Sequence, residues 1–346
     1  MQEFLSYDDV LLLPRYSDIR SRAEVSAATS LGNDLNLSLP LIASPMDTIT
    51  ETAMAAALGS QGATSVVHRY NTPEIQARYV SMAIDLAQMK YKTNITVGAA
   101  IGVTDDYLER AHKVLNAGAT FLCVDVAHGH HILMKDALQA LRKEFGSNLH
   151  LMAGNVATLQ GVNDLADWGA DSARCNIGGG SICSTRVQTG HGVPGLHTIF
   201  ECAKTDREIA IIADGGIRNS GDIVKALAAG ADAVMCGSLL SGTDEAPGKI
   251  IEESDGTRWK TYRGMASKEA QLGWRGRYSS NEGVSARVPY RGSVLNILKD
   301  LENGIQSGLS YSGARTISEL ASTAEFIRQT SSGLSESGTH IRSRRW

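Results

Sequence analysis

Eight short apolar runs alternating with amphipathic stretches predict a (β/α)8 barrel, a TIM barrel, with a long polar flap late in the chain. Three observations carry that prediction. The runs are almost continuously apolar, as expected for parallel strands covered on both faces. A glycine stands just before four of them, in Gly62-Ala63, Gly118-Ala119, Gly169-Ala170-Asp171 and Gly230-Ala231-Asp232. A left-handed glycine there would close the preceding helix. Polar residues suited to ligand chemistry also follow the strand ends repeatedly, where such barrels carry their active sites. A doubly wound open sheet is the competing architecture, but the early Gly-x-Gly-x-x-Gly of a dinucleotide-binding unit is missing.

Taken in order, the N-terminal segment holds several acids and one short apolar run, so it reads as neither a secretory signal nor a membrane span. Candidate strands follow at 41–44, 64–67, 95–99, 121–125, 149–154, 172–176, 209–213 and 233–236. Helical spacing fills 105–117, 133–145, 159–168 and 221–229 between them. Residues 250–294 break the pattern with Gly, Arg and Ser interleaved with Trp and Tyr. A loop that long and that aromatic reads as an active-site flap. Helical spacing returns over 295–328 as the last barrel helix, and 329–346 reads as a mobile tail. The whole chain is thus expected to form one catalytic domain.

Composition narrows the function. The 346 residues are 42% hydrophobic, enough for a large core. A net charge of −4 gives no reason to expect nucleic acid or an anionic membrane as partner. The 35 glycines against 7 prolines suit many tight strand–helix junctions. The five cysteines, at 123, 175, 183, 202 and 236, include no Cys-x-x-Cys pair. Zinc and disulfide frameworks are therefore not expected, and a cytoplasmic location is.

The most informative stretch is Gly178-Gly179-Gly180-Ser181-Ile182-Cys183-Ser184-Thr185-Arg186, just after a strand. Glycines let backbone N–H groups approach an anion, and a thiol in such a loop is placed to act as a nucleophile. Ser181, Asp214-Gly215-Gly216 and Gly237-Ser238 would converge on one phosphate and its sugar, which suggests a mononucleotide ligand. Asp214 could instead cap the next helix. Asp47, His68, Asp125 and Asn155 also follow strand ends. His128, His130 and His131 have no carboxylate or thiol at ligand spacing, so they read as a helix start and solvent-facing side chains rather than a metal site. Arg342, Arg344 and Arg345 read as a solvated tail.

The runs GGGSICSTR, IADGGIRNSGD, MCGSLLSGTDEAPG and YRGM, with SPMDTITE, VDVAHGH, AGNV, SYSGA and ESGTH, resemble the IMP dehydrogenase / GMP reductase family in family order across nearly the whole chain. The resemblance implies a barrel assembled as a homotetramer, with Cys183 attacking C2 of a purine mononucleotide. It implies Thr185 and Glu282 in acid–base work, with Arg277 and Tyr278 on the flap beside them. It places the nucleotide on Ser44, Met46, Ser181, Asp214, Gly215, Gly216, Gly237, Ser238, Tyr262, Gly264 and Met265. It places a nicotinamide cofactor on Ser21, Arg22, Arg69, Asp125, Val126, Ala127, Asn155, Tyr311, Ser312, Gly313 and Ala314. It implies a monovalent cation, K+, on carbonyls of Gly178, Gly180, Cys183 and Arg186, with Glu336-Ser337-Gly338 of a neighbouring subunit completing the site.

Two activities occur in this family, and three features resemble the reductase, which uses NADPH. The chain has no room for a long regulatory insertion after HRYNTPEIQARYVSMA. Ser21-Arg22-Ala23-Glu24-Val25 resembles a reductase segment, and only 17 positions separate Met265 from Glu282. Other features resemble the NAD-dependent dehydrogenase: Arg277-Tyr278, Gly192-Val193-Pro194 and the ESGTH tail. Asn176 and Gly179 depart from both, where Gly and Pro are usual, and Ala266 replaces a reductase serine. GMP reductase is the reading adopted; IMP dehydrogenase is the alternative, and a non-catalytic nucleotide-binding barrel is a third.

Overall fold

The structure, a computed structural model, describes residues 2–276 and 282–338. The chain enters through strand β1 (Val10–Leu12) and a hairpin of β2 (Thr29–Ser30) and β3 (Asn36–Leu37). There follow β4 (Leu41–Ala43), α1 (Thr52–Ser60), β5 (Thr64–Val67), α2 (Pro73–Leu86), β6 (Gly98–Ile101), α3 (Tyr107–Asn116), β7 (Phe121–Asp125) and α4 (Ile132–Phe145). Next come β8 (His150–Val156), α5 (Leu159–Asp167), β9 (Ser172–Cys175), α6 (Thr185–Thr189), α7 (Gly195–Cys202), β10 (Ala210–Asp214), α8 (Ser220–Ala228) and β11 (Ala233–Cys236). Strands β4 to β11 form a closed parallel barrel, sealed where Val234, Met235 and Cys236 pair with Leu41, Ile42 and Ala43.

Local chemistry explains where the helices begin and end. Thr72, Thr158 and Asn219 accept backbone N–H groups at the starts of α2, α5 and α8, and Pro73 occupies the first turn of α2. The expected helix-closing glycines are left-handed: Gly62, Gly118, Gly169 and Gly230 have φ of +72°, +102°, +107° and +104°.

The core has two parts. Inside the barrel, Ile42, Val66, Phe121, Met152, Ile212 and Met235 pack together, and Leu31, Leu35 and Leu37 of the β2–β3 hairpin close one end. Gly98 makes room for the Phe121 ring, since a Cβ there would lie 2.3 Å from it. A second, larger cluster fills the space between barrel and helices.

Two expectations need correction. The third barrel strand runs over Gly98–Ile101 rather than 95–99, because Ile95 packs outward against Gly59. The region 295–328 is not one helix. After α10 (Val294–Tyr311), Gly313 adopts φ +66° and the chain breaks into α11 (Ile317–Thr323) and β15 (Phe326–Arg328). Strand β15 pairs antiparallel with β1, joining the two ends of the chain, and α12 (Ser331–Glu336) follows.

The flap is structured in its described part. β12 (Ile251–Glu252), β13 (Arg258–Arg263) and β14 (Ser285–Pro289) form an antiparallel sheet, with α9 (Lys268–Arg275) between the last two strands. Its root is bolted to the barrel. Lys260, 3% exposed, donates through Nζ to the carbonyls of Thr243 and Ala246 in the loop after β11, and burial pushes its pKa below the ordinary lysine value. Arg263 Nε lies 3.0 and 3.2 Å from the two carboxylate oxygens of Asp47.

Candidate active site

A cavity of about 290 Å³ opens where the strands of the barrel end. Its floor and walls are the loops that follow β4, β5, β7, β8, β9, β10 and β11, and the flap supplies the remaining side. Ser44, Met46, Arg69, Asp125, Val126, Ala127, Asn155, Gly178, Gly180, Ser181, Cys183 and Thr185 all line it. So do Asp214, Gly215, Gly216, Gly237, Ser238, Tyr262, Gly264, Met265 and Glu282.

The reactive centre is built from two segments far apart in sequence. Cys183 is exposed, and its Sγ donates to Thr185 Oγ1 at 3.1 Å. Thr185 Oγ1 in turn donates to Glu282 Oε2 at 2.9 Å. Backbone bonds deliver Glu282 to that position. Ser184 N donates to the Glu282 carbonyl, and Val284 N to the Ile182 carbonyl, both at 3.0 Å. Gly264 N adds a bond to the Val284 carbonyl. Only glycine fits this crossing comfortably: a Cβ on Gly283 would stand 3.1 Å from Ser267 N, and one on Gly264 would stand 3.3 Å from Gly283 Cα.

The opposite wall is a cradle of glycines and oxygens. Gly215 and Gly216, at φ +82° and +76°, turn the chain after β10, and Gly216 lies against the Gly179 carbonyl. Tyr262 hydrogen-bonds Ser181, and burial pushes its phenol up to about 12, so it remains a hydroxyl donor. Its oxygen would lie 2.8 Å from a Cβ on Gly237, which ties the flap strand closely to the β11 loop. Backbone N–H groups, a tyrosine and serines in this arrangement suit an anion such as phosphate.

Asp214 does not cap the next helix; Asn219 does. Asp214 Oδ2 instead accepts from Asn155 Nδ2 at 2.7 Å and from Arg174 Nε and Nη2 at 3.1 and 2.8 Å. Arg174 Nη1 reaches Asp125 Oδ1 at 2.5 Å, and Arg69 Nη2 donates to the Asp125 carbonyl at 3.0 Å. Burial opposes the charge of Arg174, but the Asp214 and Asp125 carboxylates hold its pKa well above the ordinary value. Sequence reasoning missed Arg174. The available signal was a lone arginine inside an otherwise small and apolar strand, which demands buried carboxylate partners.

Several expected residues lie elsewhere. Asp47 pairs with Arg263, and the buried His68 lies 3.2 Å from Glu51 Oε1; neither lines the cavity. His131 caps α4 and His130 pairs with Asp164 at 2.7 Å, so these two serve helix packing. Ser21 and Arg22 form a short turn that packs against α10, and Tyr311, Ser312, Gly313 and Ala314 lie at or just past its end. Helix α10 spans about 27 Å and starts beside the β11 loop, where Glu245 accepts from Val294 N at 2.7 Å. These six residues therefore stand at the far end of the barrel and do not line this cavity. Arg277, Tyr278, Arg342, Arg344 and Arg345 lie outside the described residues.

The four carbonyls proposed for a cation are neutral oxygens within one loop and the helix it enters, a donor type that suits a hard monovalent ion. Those of Gly180 and Arg186 each already accept one backbone N–H, from Cys183 and Gly190, and keep a second lone pair. The Arg186 guanidinium is directed elsewhere, to the carbonyls of Ile177 and Val193, so this residue could contribute only its carbonyl. The residues present thus fit such an ion in chemistry.

Comparison with known proteins agrees with this arrangement. Residues 4–340 match the family described as the IMP dehydrogenase / GMP reductase domain. An inosine-5'-monophosphate dehydrogenase from Nitrosopumilus maritimus is 35% identical, covering 98% of each chain. A GMP reductase from Leishmania major is 31% identical, covering 98% of this chain and 97% of that one. The crystal structure of a Trypanosoma brucei GMP reductase variant in complex with guanosine 5'-monophosphate superposes with a TM-score of 0.92, at 30% identity and 98% coverage of both chains. The likeness thus runs along nearly the whole chain, to proteins named for each of the two activities, and the chain belongs to the IMP dehydrogenase / GMP reductase family of oxidoreductases.

Proposed function

We propose that the protein is a GMP reductase, converting GMP to IMP and ammonia with NADPH. The observation that carries this reading is the chain from Cys183 Sγ through Thr185 Oγ1 to Glu282 Oε2 at the cavity mouth. Cys183 would add to C2 of the purine, and the amine at C2 would leave as ammonia after taking a proton relayed from Glu282 through Thr185. Bound NADPH would supply the hydride that C2 gains, and the Cys183 sulfur would leave C2 as IMP forms. GMP, NADPH and two protons thereby become IMP, NADP+ and an ammonium ion. Asp214 and the Gly215–Gly216 and Gly237–Ser238 turns would hold the ribose and phosphate. Arg69, Asp125, Val126, Ala127 and Asn155 would face the nicotinamide half of the cofactor.

Ser21, Arg22, Tyr311, Ser312, Gly313 and Ala314 stand about a helix length from the cleft. They would meet a cofactor only where a neighbouring copy presents them, as a homotetramer would. K+ would sit on the carbonyls of Gly178, Gly180, Cys183 and Arg186 and steady the loop that carries Cys183.

The same relay run in reverse, as a base that takes a proton from water, supports a second reading: IMP dehydrogenase with NAD. Chain length does not decide between them. The Leishmania major reductase alignment runs over 479 positions and the Nitrosopumilus dehydrogenase alignment over 470, so both relatives are longer than this 346-residue chain. An absorbance assay at the nicotinamide band separates the readings. GMP should consume NADPH and release ammonia, and Cys183→Ala should abolish turnover. NADH and XMP produced from IMP and NAD would replace this reading with the dehydrogenase.

A further inference from the structure

Arg174 bridges two aspartates of the cleft wall, Asp125 after β7 and Asp214 after β10. Its side chain leaves β9, is 7% exposed, and lies among Cys123, Asp125 and Asp214. One planar guanidinium takes Asp214 Oδ2 with two nitrogens and Asp125 Oδ1 with the third. Strand β8 lies between β9 and β7, and its Gly154 opens the way: a Cβ on Gly154 would stand 2.6 Å from Arg174 Cβ. One oxygen of each carboxylate, Asp214 Oδ2 and Asp125 Oδ1, is thus engaged; Arg69 Nε stands 3.8 Å from Asp125 Oδ2, and both aspartates line the cavity. Asn155 adds a third donor to Asp214 Oδ2, which leaves Oδ1 as the oxygen free of these bonds.

We propose that Arg174 is a positioning residue that holds Asp214 and Asp125 as one rigid unit and so fixes the pose of a ribose-bearing nucleotide relative to a nicotinamide riboside. The inference rests on the purine-nucleotide and nicotinamide reading above. The planar fork is what makes the unit rigid. A lysine ammonium is a single point of charge and cannot hold three directed bonds in one plane. Hydride transfer is acutely sensitive to the distance and angle between donor and acceptor carbons, so a loosened unit should slow that step more than it weakens binding. Cys183 lies nine residues beyond Arg174, on the loop that follows β9, where backbone bonds from Ser184 to Glu282 and from Val284 to Ile182 hold its outer part against the flap.

The test uses the full chain, with the nucleotide and cofactor pair that the wild type turns over, and the variants Arg174→Lys and Arg174→Gln. Single-turnover hydride transfer should fall about 100-fold in Arg174→Lys, with nucleotide affinity and Cys183 alkylation rate close to wild type. Arg174→Gln should fall at least as far. Wild-type hydride transfer in Arg174→Lys would overturn the proposal. So would a parallel loss of thermal stability, alkylation and affinity in both variants, since that marks a folding role alone. A wild type that binds neither purine nucleotide nor nicotinamide cofactor would overturn the functional reading and this inference with it. Binding of both, with unchanged transfer in the variants, overturns the inference only.

Discussion

At the scale of single residues, Asn176 and Gly179 form a compensating pair. Asn176 is 4% exposed and donates through Nδ2 to the Gly215 carbonyl at 3.3 Å, linking the base of the thiol loop to the turn after β10. A Cβ on residue 179 would lie 2.2 Å from that nitrogen, so an asparagine at 176 requires a glycine at 179. The short, buried amide has little freedom to yield. Gly179→Ala should therefore destabilise the protein by about 1–3 kcal/mol and alter the alkylation rate of Cys183. Adding Asn176→Gly should recover both, as read from urea midpoints and thiol-trapping kinetics. Additive losses in the double variant would show that the two positions do not share this volume. Both departures were visible in the sequence, but their dependence on each other was not, because it is a matter of which side chain fills one pocket.

At the scale of elements, the flap shows where reading a sequence stops. Residues 258–263 form a strand, yet the two buried side chains are Lys260 and Tyr262, not aliphatic residues. An alternation that buries a lysine looks like a polar loop; pairing with β12 and β14 makes it a strand, and the carbonyls of Thr243 and Ala246 in a distant turn satisfy the buried ammonium. Lys260→Met keeps the length and removes the donor, leaving those carbonyls to find other partners. It should cost about 1–3 kcal/mol and raise amide hydrogen exchange in β13 and at Glu282 more than in the barrel strands. Uniform exchange across the protein would refute a local anchoring role. The barrel strands, in contrast, were legible to within a few residues. Burial on both faces made their composition apolar, and the left-handed glycines marked where each preceding helix had to end.

At the scale of the whole molecule, the barrel brings together residues that no spacing rule could join. Arg174, Asp125 and Asp214 lie on three different strands, and Thr185 meets Glu282 across 97 positions of sequence. The order of motifs along the chain predicted that such strand ends would converge. It did not predict which ions would pair. The same scale governs assembly. If Ser21, Arg22 and Tyr311 serve a neighbour's cleft, sedimentation should find a tetramer at working concentration, and Tyr311→Ala should weaken cofactor binding while leaving GMP binding intact. Equal cofactor affinity in that variant would remove Tyr311 from the site.

The pairing of β1 with β15 has a mechanical consequence. Val10 sits opposite Arg328, Leu11 opposite Ile327 and Leu12 opposite Phe326, so both chain ends leave from the same side of a three-residue ladder. A force pulling those ends apart would load the pairs one after another, like a zip, rather than shear them all at once. The barrel, whose seam is parallel and lies between β4 and β11, would feel no tension until that clasp had opened. Stretched between optical traps, the protein should give way first in a small, low-force step that releases the two ends, followed by the cooperative rupture of the barrel. For the same reason, joining the old ends with a short linker and opening the chain in an exposed loop should give a circular permutant that still folds.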